Sequence, residues 1–519
     1  MDVLHKLNLL KKSSTYRLTF FSLLYLLLPN LIFVAGWFRW ELALVVLLIL
    51  LGSFYLVLSD FHRKFNGIKE DNLSFRVHLL VVAVAVVVCA VSGIGGFTFQ
   101  GDQDKHYGVL RDLIVQPWPV VYQENFLVES AVHLNYYLAY YLPVALLAKL
   151  VGIAWADALM FLWTFFGVYS VLRWVLLWKG KNLPLIAMLI FLFFGGQDFL
   201  YALFKIPVKW VLLGDLIPFH VFREEIAAEA VVHNNMLQFY APIVSMTWCP
   251  QHVLGGWLAA ALIFHQFSQL KSLKSAAFIV SLTFIWSVFN SIGLTIILLM
   301  LLFKKGFLSF ISFQNLLGAL SLTVLVAFFF QAHYSIAESG WIWEAIPGKS
   351  WLPKIFVFLM IEFGIYAWLS YRFVKNQDWK LIWWAAIAVL FVIPFYVVGY
   401  FNDFLMRAAV PSLFIISIVF IQYFSALNYK YKYHLLFVFL FFANIPYFTL
   451  RYIVKDRVED QNNVANSPSV TKLREAAWFN AQYLGRNESV YWLYLSAKQK
   501  ILLDESEEAI QLRQTEKKP

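Results

Sequence analysis

Long apolar runs of roughly 17–25 residues, bounded by short polar segments, recur along the whole chain. An α-helix of that length crosses about 30 Å of hydrocarbon, and it satisfies its own backbone amides where no water can. The pattern predicts an all-α polytopic membrane protein with about thirteen crossings, near 18–36, 42–59, 78–98, 158–176, 183–203, 252–268, 276–289, 291–303, 311–331, 355–373, 381–400, 409–425 and 433–450. Two stretches need separate treatment. His133 to Gly152 carries Pro143, Lys149 and several tyrosines, which suits an interfacial or re-entrant helix that does not cross. Ala276 to Phe303 reads as two short helices turning around Asn290, Ser291 and Gly293. Irregular backbone of this kind is tolerated at membrane depth only where protein or a watery cavity shields it, so a cavity near the outer leaflet follows.

Positive charge orients the spans. Lys6, Lys11, Lys12 and Arg17, then Arg63, Lys64, Lys69 and Arg76, then Arg173, Lys179 and Lys181 fall on one side. Lys271 and Lys274, Lys304 and Lys305, Arg372, Lys375 and Lys380, and Lys430 and Lys432 continue the same alternation, so that side is expected to be cytoplasmic. The first run, Leu18 to Gly36, is long and followed by many others, which favours an uncleaved anchor over a signal peptide. Loops 99–131, 204–251, 332–354 and 401–408 then face outward, together with the tail after Arg451. Residues 1–450 form the expected membrane domain and 451–519 a small extracytoplasmic appendage. In the tail, Ser467 and Pro468 suit a helix start, Gly485 a helix stop, and Ser489 to Leu495 a strand.

Composition narrows the class. Of 519 residues, 61% are hydrophobic and 14% charged, against roughly 45–50% and 25% in soluble domains, so no soluble fold of this length hides the apolar surface. The net charge of +10 gathers beside apolar spans, which speaks for membrane orientation and against a nucleic-acid partner. Cys89 and Cys249 lie in different settings and suggest no disulfide framework.

The candidate chemistry lies in the outward loops. Asp102, Asp104, Lys105, His106, Arg111, Asp112 and Glu124 follow the third span directly. If 102–113 is helical, Asp102 and His106 share a face at i,i+4, with Asp104 and Arg111 on neighbouring faces. A carboxylate there can take a proton from an attacking hydroxyl while Lys, Arg or a divalent metal steadies a phosphate; the same acids also suit a solvated loop. The second long loop brings Arg223 and ends in Pro250, Gln251 and His252 at a span start. His252 suits a sugar hydroxyl, a metal or a structural hydrogen bond. Asp403 and Arg407 are spaced to pair at i,i+4, and Arg407 suits either an interfacial anchor or a clamp on a lipid phosphate. Tyr136, Tyr137, Tyr140 and Tyr141 suit sugar stacking or an interfacial aromatic belt.

Asp102-x-x-Lys105-His106 with Leu110, Asp112-Leu113 and Trp118-Pro119, then Pro250-Gln251-His252 with Trp257, then Asn402-Asp403 with Met406-Arg407, resemble a bacterial group within the GT-C-fold integral membrane glycosyltransferases. The likeness is one of layout and covers most of the membrane region. The chain departs from the class in carrying two spans ahead of the one before the acidic loop, and in having no Asp-Glu pair there. The resemblance implies a bacterial inner-membrane enzyme that transfers a sugar, with inversion, from a polyprenyl-phosphate donor to a glycan, lipid or protein acceptor. It implies that the base is Asp102 or Asp104. Lys105, Arg111, Arg223 and Arg407 are the candidate phosphate ligands; a transporter or flippase of an anionic or lipid-linked solute, or a polysaccharide polymerase or ligase, would need similar groups. A transporter would place its ionisable groups near the bilayer midplane and show internal repeats, and neither is visible in the sequence. Reporter fusions test the orientation: one after Gly67 or Lys304 should read cytoplasmic, and one within 332–354 or after Arg451 should read outside, whereas an inside tail would reverse the assignment.

Overall fold

The computed structural model describes residues 14–65, 73–97, 103–123, 131–196, 237–334, 339–345, 351–399, 402–442, 463–472 and 481–497. These are mostly helical. In chain order they give α1 (Ser14–Trp37), α2 (Trp40–Phe65), α3 (Phe75–Val91), α4 (Gln103–Val115), α5 (Leu142–Val151) and α6 (Ala156–Leu177). There follow α7 (Pro184–Leu192), α8 (Pro242–Trp248), α9 (Pro250–Ser268), α10 (Ala276–Ser281), α11 (Val288–Lys305) and α12 (Ala319–Gln331). The last are α13 (Trp351–Val374), α14 (Lys380–Val392), α15 (Asp403–Ala408), α16 (Val410–Ala426) and α17 (Tyr429–Phe442). Six described segments are long and apolar enough to cross a membrane: Ser14–Trp37, Trp40–Phe61, Ile153–Leu177, Val288–Lys305, Gln314–Gln331 and Trp351–Val374. α3, α14 and α16 are shorter apolar helices. α5 has 10 residues, about 15 Å of rise, which is too short to cross and agrees with an interfacial or re-entrant role.

The bundle is organised around α9, whose 19 residues are all buried. It packs against α6, α16 and the α10–α11 pair. Two glycines allow this. A methyl at Gly255 would stand 2.9 Å from Trp286 Cβ, and one at Gly256 would stand 2.8 Å from Asn290 Nδ2, so the small residues let the neighbouring backbones come close.

The chain doubles back between α9 and α11, as the sequence predicts, but the turn lies earlier than expected. α10 ends at Ser281, residues 282–287 form the turn, and α11 starts at Val288 with Ser287 as its cap. Ser287 wins over Gly293 because its hydroxyl accepts the Asn290 amide, satisfying an orphan donor of the helix start. Gly293 serves as a contact point instead: the Ala408 carbonyl sits against its Cα, leaving no space for a side chain.

The basic segments gather at one end. Lys305 Nζ lies 5.7 Å from the Phe267 ring, and Lys271 pairs with Asp378 at 3.5 Å. Gln314 donates to Asp60 at 3.2 Å, and Trp178 packs on Phe264. The opposite end carries two small antiparallel sheets. β1 (Val121–Tyr122), β2 (Val132–Leu134) and β5 (Leu484–Arg486) form one, with Val121 opposite His133 and His133 opposite Gly485. β3 (Ser339–Trp341) and β4 (Tyr396–Val398) form the other, which ties loop 332–354 to the segment just before α15.

The tail corrects two expectations. Its strand is Leu484–Arg486, and Tyr491–Leu495 is a π-helical turn. In 491–495 the first two residues are buried and the next two exposed, which is not the alternation of a strand. Tyr491 is held between Phe38 and Phe329, at ring distances of 5.5 and 5.3 Å, and its hydroxyl donates to the Trp37 carbonyl. Gly485 sits inside the strand rather than at a helix stop, because His133 crowds the space a side chain would need. The described helical turn beyond Pro468 is Val470–Lys472. The described tail residues therefore pack into the end of the bundle.

His133 makes this packing sensitive to acid. Its ring stacks on Trp492 at 4.8 Å, Nδ1 meets Asn487 Oδ1 at 2.9 Å, and Nε2 is buried without a partner among the described residues. Burial pulls its pKa from the ordinary 6.5 down to about 4, against the Asn487 contact and with help from His333. When the tail detaches, the exposed His133 binds the extra proton, so the stabilisation is complete above pH 6.5 and is lost as pH falls towards 4. Once exchange is corrected for the intrinsic pH dependence of amide chemistry, the protection factors of the Leu484–Arg486 amides should fall between pH 7.5 and 5. His133→Phe, which keeps a ring but cannot titrate, should remove that pH dependence.

Candidate functional site

At the end of the bundle away from the basic clusters, α8 stops at Trp248 and α9 begins at once with Pro250 in its first turn. Proline suits that position because its ring presets the helical angle and its missing amide proton has no partner to lose. The break sets Gln251 and His252 in the first turn of a wholly buried helix. Asn290 donates to the His252 carbonyl, and Gln251 Nε2 donates to the Tyr136 hydroxyl at 3.4 Å. Gln251 Oε1 and both ring nitrogens of His252 are buried with no hydrogen-bond partner among the described residues. Trp286 lies beside the His252 ring without meeting hydrogen-bond geometry, and Tyr137 meets it edge-on at 4.7 Å.

Helix α4 brings the first loop to this place. The described helix covers 103–115, close to the expected extent, with Asp104 in its first turn. Gln103 ties its start to the Gly93 carbonyl at 2.7 Å. His106 Nδ1 lies 2.6 Å from the Tyr141 hydroxyl and Nε2 lies 3.4 Å from the Trp248 carbonyl. Both bonds are satisfied by a neutral ring, with Tyr141 donating to Nδ1 and Nε2–H donating to Trp248. Lys105 and His106 are within electrostatic reach of His252, as is Arg407.

Arg407 arrives on α15. Asn402 adopts a left-handed conformation, φ 53°, and its side chain accepts the Leu405 amide, which starts this helix. Asparagine tolerates that conformation better than other non-glycine residues. Arg407 then donates to Asp403 Oδ1 at 2.7 Å, the i,i+4 pairing expected from the sequence. Burial pulls the guanidinium pKa down, but Asp403, Tyr136, Tyr137 and Cys249 outweigh it, and the net shift is upward. The arrangement is a fixed cation close to Gln251 Oε1 and the His252 ring nitrogens, which have no partner among the described residues, walled by tyrosines, and it suits an anionic group carrying hydroxyls.

The structure thus brings together Lys105, His106, Gln251, His252, Asp403 and Arg407. Arg111 is placed differently. It lies six residues beyond Lys105, about 9 Å along α4 and on another face, and pairs with Asp112 Oδ1 at 3.4 Å. Asp102, Glu124 and Arg223 lie outside the described residues. No three His, Cys, Asp or Glu side chains converge as a metal site among the described residues.

Sequence reasoning named Asp112 without its structural role and missed Glu362. Asp112 is buried and accepts from Tyr122 at 2.8 Å, Ser469 at 2.7 Å and the Val470 amide at 2.9 Å. Burial pushes its pKa up, while those donors and Arg111 act the other way. Two of its partners, Ser469 and Val470, lie more than 350 residues away in sequence, so no local spacing announced this role. Glu362 is buried in a π-turn within α13, beside Gly196. Its signal was available as a lone acid inside an apolar run.

Arg407 and Asp403 should respond unequally to truncation. Their side chains are 17% and 36% exposed, so losing Asp403 strands the more buried charge. Asp403→Ala should destabilise by about 2 kcal/mol, less than a fully buried pair, and Arg407→Ala by under about 1 kcal/mol. Thermal melting of the purified proteins checks the order, and the reverse order would mean that Arg407 is already solvated.

No protein-family model, curated protein or solved structure matches this chain.

Proposed function

We propose that this chain is a GT-C-type membrane glycosyltransferase that moves a sugar from a polyprenyl-phosphate donor to an acceptor at the outer face of a bacterial inner membrane. In this reading about thirteen segments cross, with the N-terminus cytoplasmic and the tail outside. The observation that carries it is the convergence of Arg407, Lys105 and His106 on buried Gln251 Oε1 and the His252 ring nitrogens, which have no hydrogen-bond partner among the described residues. Cations held at one end of an apolar bundle suit a lipid-linked phosphate entering from the side. Free polar atoms beside Tyr136 and Tyr137 suit sugar hydroxyls.

The reaction is a direct displacement. An acceptor hydroxyl oxygen attacks the anomeric carbon, the bond from that carbon to the phosphate oxygen breaks, and the hydroxyl proton passes to a first-loop carboxylate. Arg407 and Lys105 meet the charge left on the departing lipid phosphate. Attack opposite the leaving group inverts the anomeric centre. Asp104, in the first turn of α4 next to Lys105, and Asp102 just before it are the two carboxylates that fit the role of base.

Single-turnover transfer by purified wild type, Asp102→Asn and Asp104→Asn tests the base. Loss of about 10²–10⁴-fold in one variant, with unchanged melting and donor binding, identifies it. Loss in both points to a shared metal, near-normal transfer in both rejects the first loop as the source of the base, and absence of transfer by the wild type rejects the enzyme in favour of a carrier of lipid-linked solutes.

A further inference from the structure

A second constellation lies at the other end of the bundle, among the basic segments. A groove of about 660 Å³ runs between α1, α3 and α6. Its polar end is formed by Ser14, Arg17, His78, Tyr169 and Arg173. From there it continues along α1 past Phe21 and Leu24 to Leu28, with Val82 and Trp163 on the facing helices. Arg17 to Leu28 is about 16 Å of helix rise. Phe21 and Phe166 on its rim are 52% and 55% exposed, so the groove opens sideways to the apolar surroundings of the bundle.

The charge at the polar end is held inward by neutral groups. Arg173 donates to Ser14 Oγ at 2.9 Å, to the Tyr169 hydroxyl at 3.2 Å and to His78 Nδ1 at 3.3 Å. Its Nε is buried with no partner among the described residues. Among the described residues no carboxylate pairs with Arg17, His78 or Arg173. An arginine that merely marked the interface would extend its head into water; this one is anchored at three points over the mouth of an apolar groove, next to a second arginine. Such a site lacks only an anion, and the groove behind it is shaped for a chain attached to that anion.

We infer that the groove holds one anionic phospholipid from the leaflet at the basic ends, with its phosphate on Arg17 and Arg173 and one acyl chain along α1. The site lies at the opposite end from Arg407 and stands independently of the proposed transferase. The same arginines would also accept a free phosphate, and the two sources differ in their need for the apolar groove.

Native mass spectrometry of the full-length protein titrated with dioleoylphosphatidylglycerol tests the assignment, using wild type, Arg17→Gln, Arg173→Gln and Leu28→Trp. Each arginine variant should lose about tenfold in affinity, the worth of one charge-assisted contact. Leu28→Trp, which fills the groove, should lose a similar amount. Dioleoylphosphatidylcholine should compete poorly, and millimolar inorganic phosphate should not displace the lipid. Unchanged affinity in both arginine variants overturns the site. Displacement by inorganic phosphate with no effect of Leu28→Trp overturns the lipid and leaves a free-phosphate site. If Arg173→Gln does not fold, Arg17→Gln at the first turn of α1 decides alone.

Discussion

Burying the first turn of a helix inside an apolar bundle is the constraint from which the rest of the site follows. A helix start leaves amides without intrahelical partners, and lipid offers none. α9 meets the problem with Pro250, which has no amide proton to satisfy, and with the Cys249 carbonyl, which accepts the His252 and Val253 amides at 3.0 and 3.3 Å, while a close neighbour sets its polar side chain against the same turn. Asn290 reaches the His252 carbonyl because Gly256 leaves room for it, and Trp286 covers Gly255 in the same way. That neighbour can be present only if the chain turns back at 282–287. The broken α10–α11 pair and the buried start of α9 are two sides of one packing solution.

Once the turn is buried, charge near it becomes expensive, and this explains the order in which the cations are held. Arg407 is mostly buried and has a carboxylate of its own on the same short helix. His106 is bonded at both nitrogens in a way that suits the neutral ring. The arrangement therefore concentrates its fixed positive charge at Arg407 and Lys105, and leaves Gln251 and His252 with unused hydrogen-bonding capacity. An incoming anion with hydroxyl groups would satisfy both features at once.

The apolar runs made most helices legible, because run length alone specifies a crossing helix. The doubling back near 276–303 was legible from charge, since Lys304 and Lys305 had to rejoin Lys271 and Lys274. Its exact turn was not, because glycine at 293 signals either a bend or a close contact, and here Ala408 takes the space. Asp403 and Arg407 were legible from their spacing. The partnership of α4 with α9 was not, since the contacts from His106 to Tyr141 and Trp248 span 35 and 142 residues. In the tail, strand-like composition at Ser489–Leu495 lost to burial of Tyr491, which only the assembled bundle provides.

Arg111 is absent from the converged group for a reason that also explains the tail. α4 is 13 residues long, and its two halves do different things. The first carries Asp104, Lys105 and His106 towards α9. The second carries Asp112, which is buried and takes three hydrogen bonds, two of them from Ser469 and Val470 in the tail, with Arg111 drawn alongside it. A short helix behaves as a rigid rod, so fixing one half fixes the other. β5 adds a second attachment by pairing with β2, just ahead of Tyr136 and Tyr137. Among the described residues the tail contributes no side chain to the group around Arg407, yet it grips both the helix that carries Lys105 and the strand that leads into the tyrosine wall. The far end of the chain thereby acts on the geometry of the site through backbone it holds in place, which is a role that a charge or motif search of the tail cannot reveal.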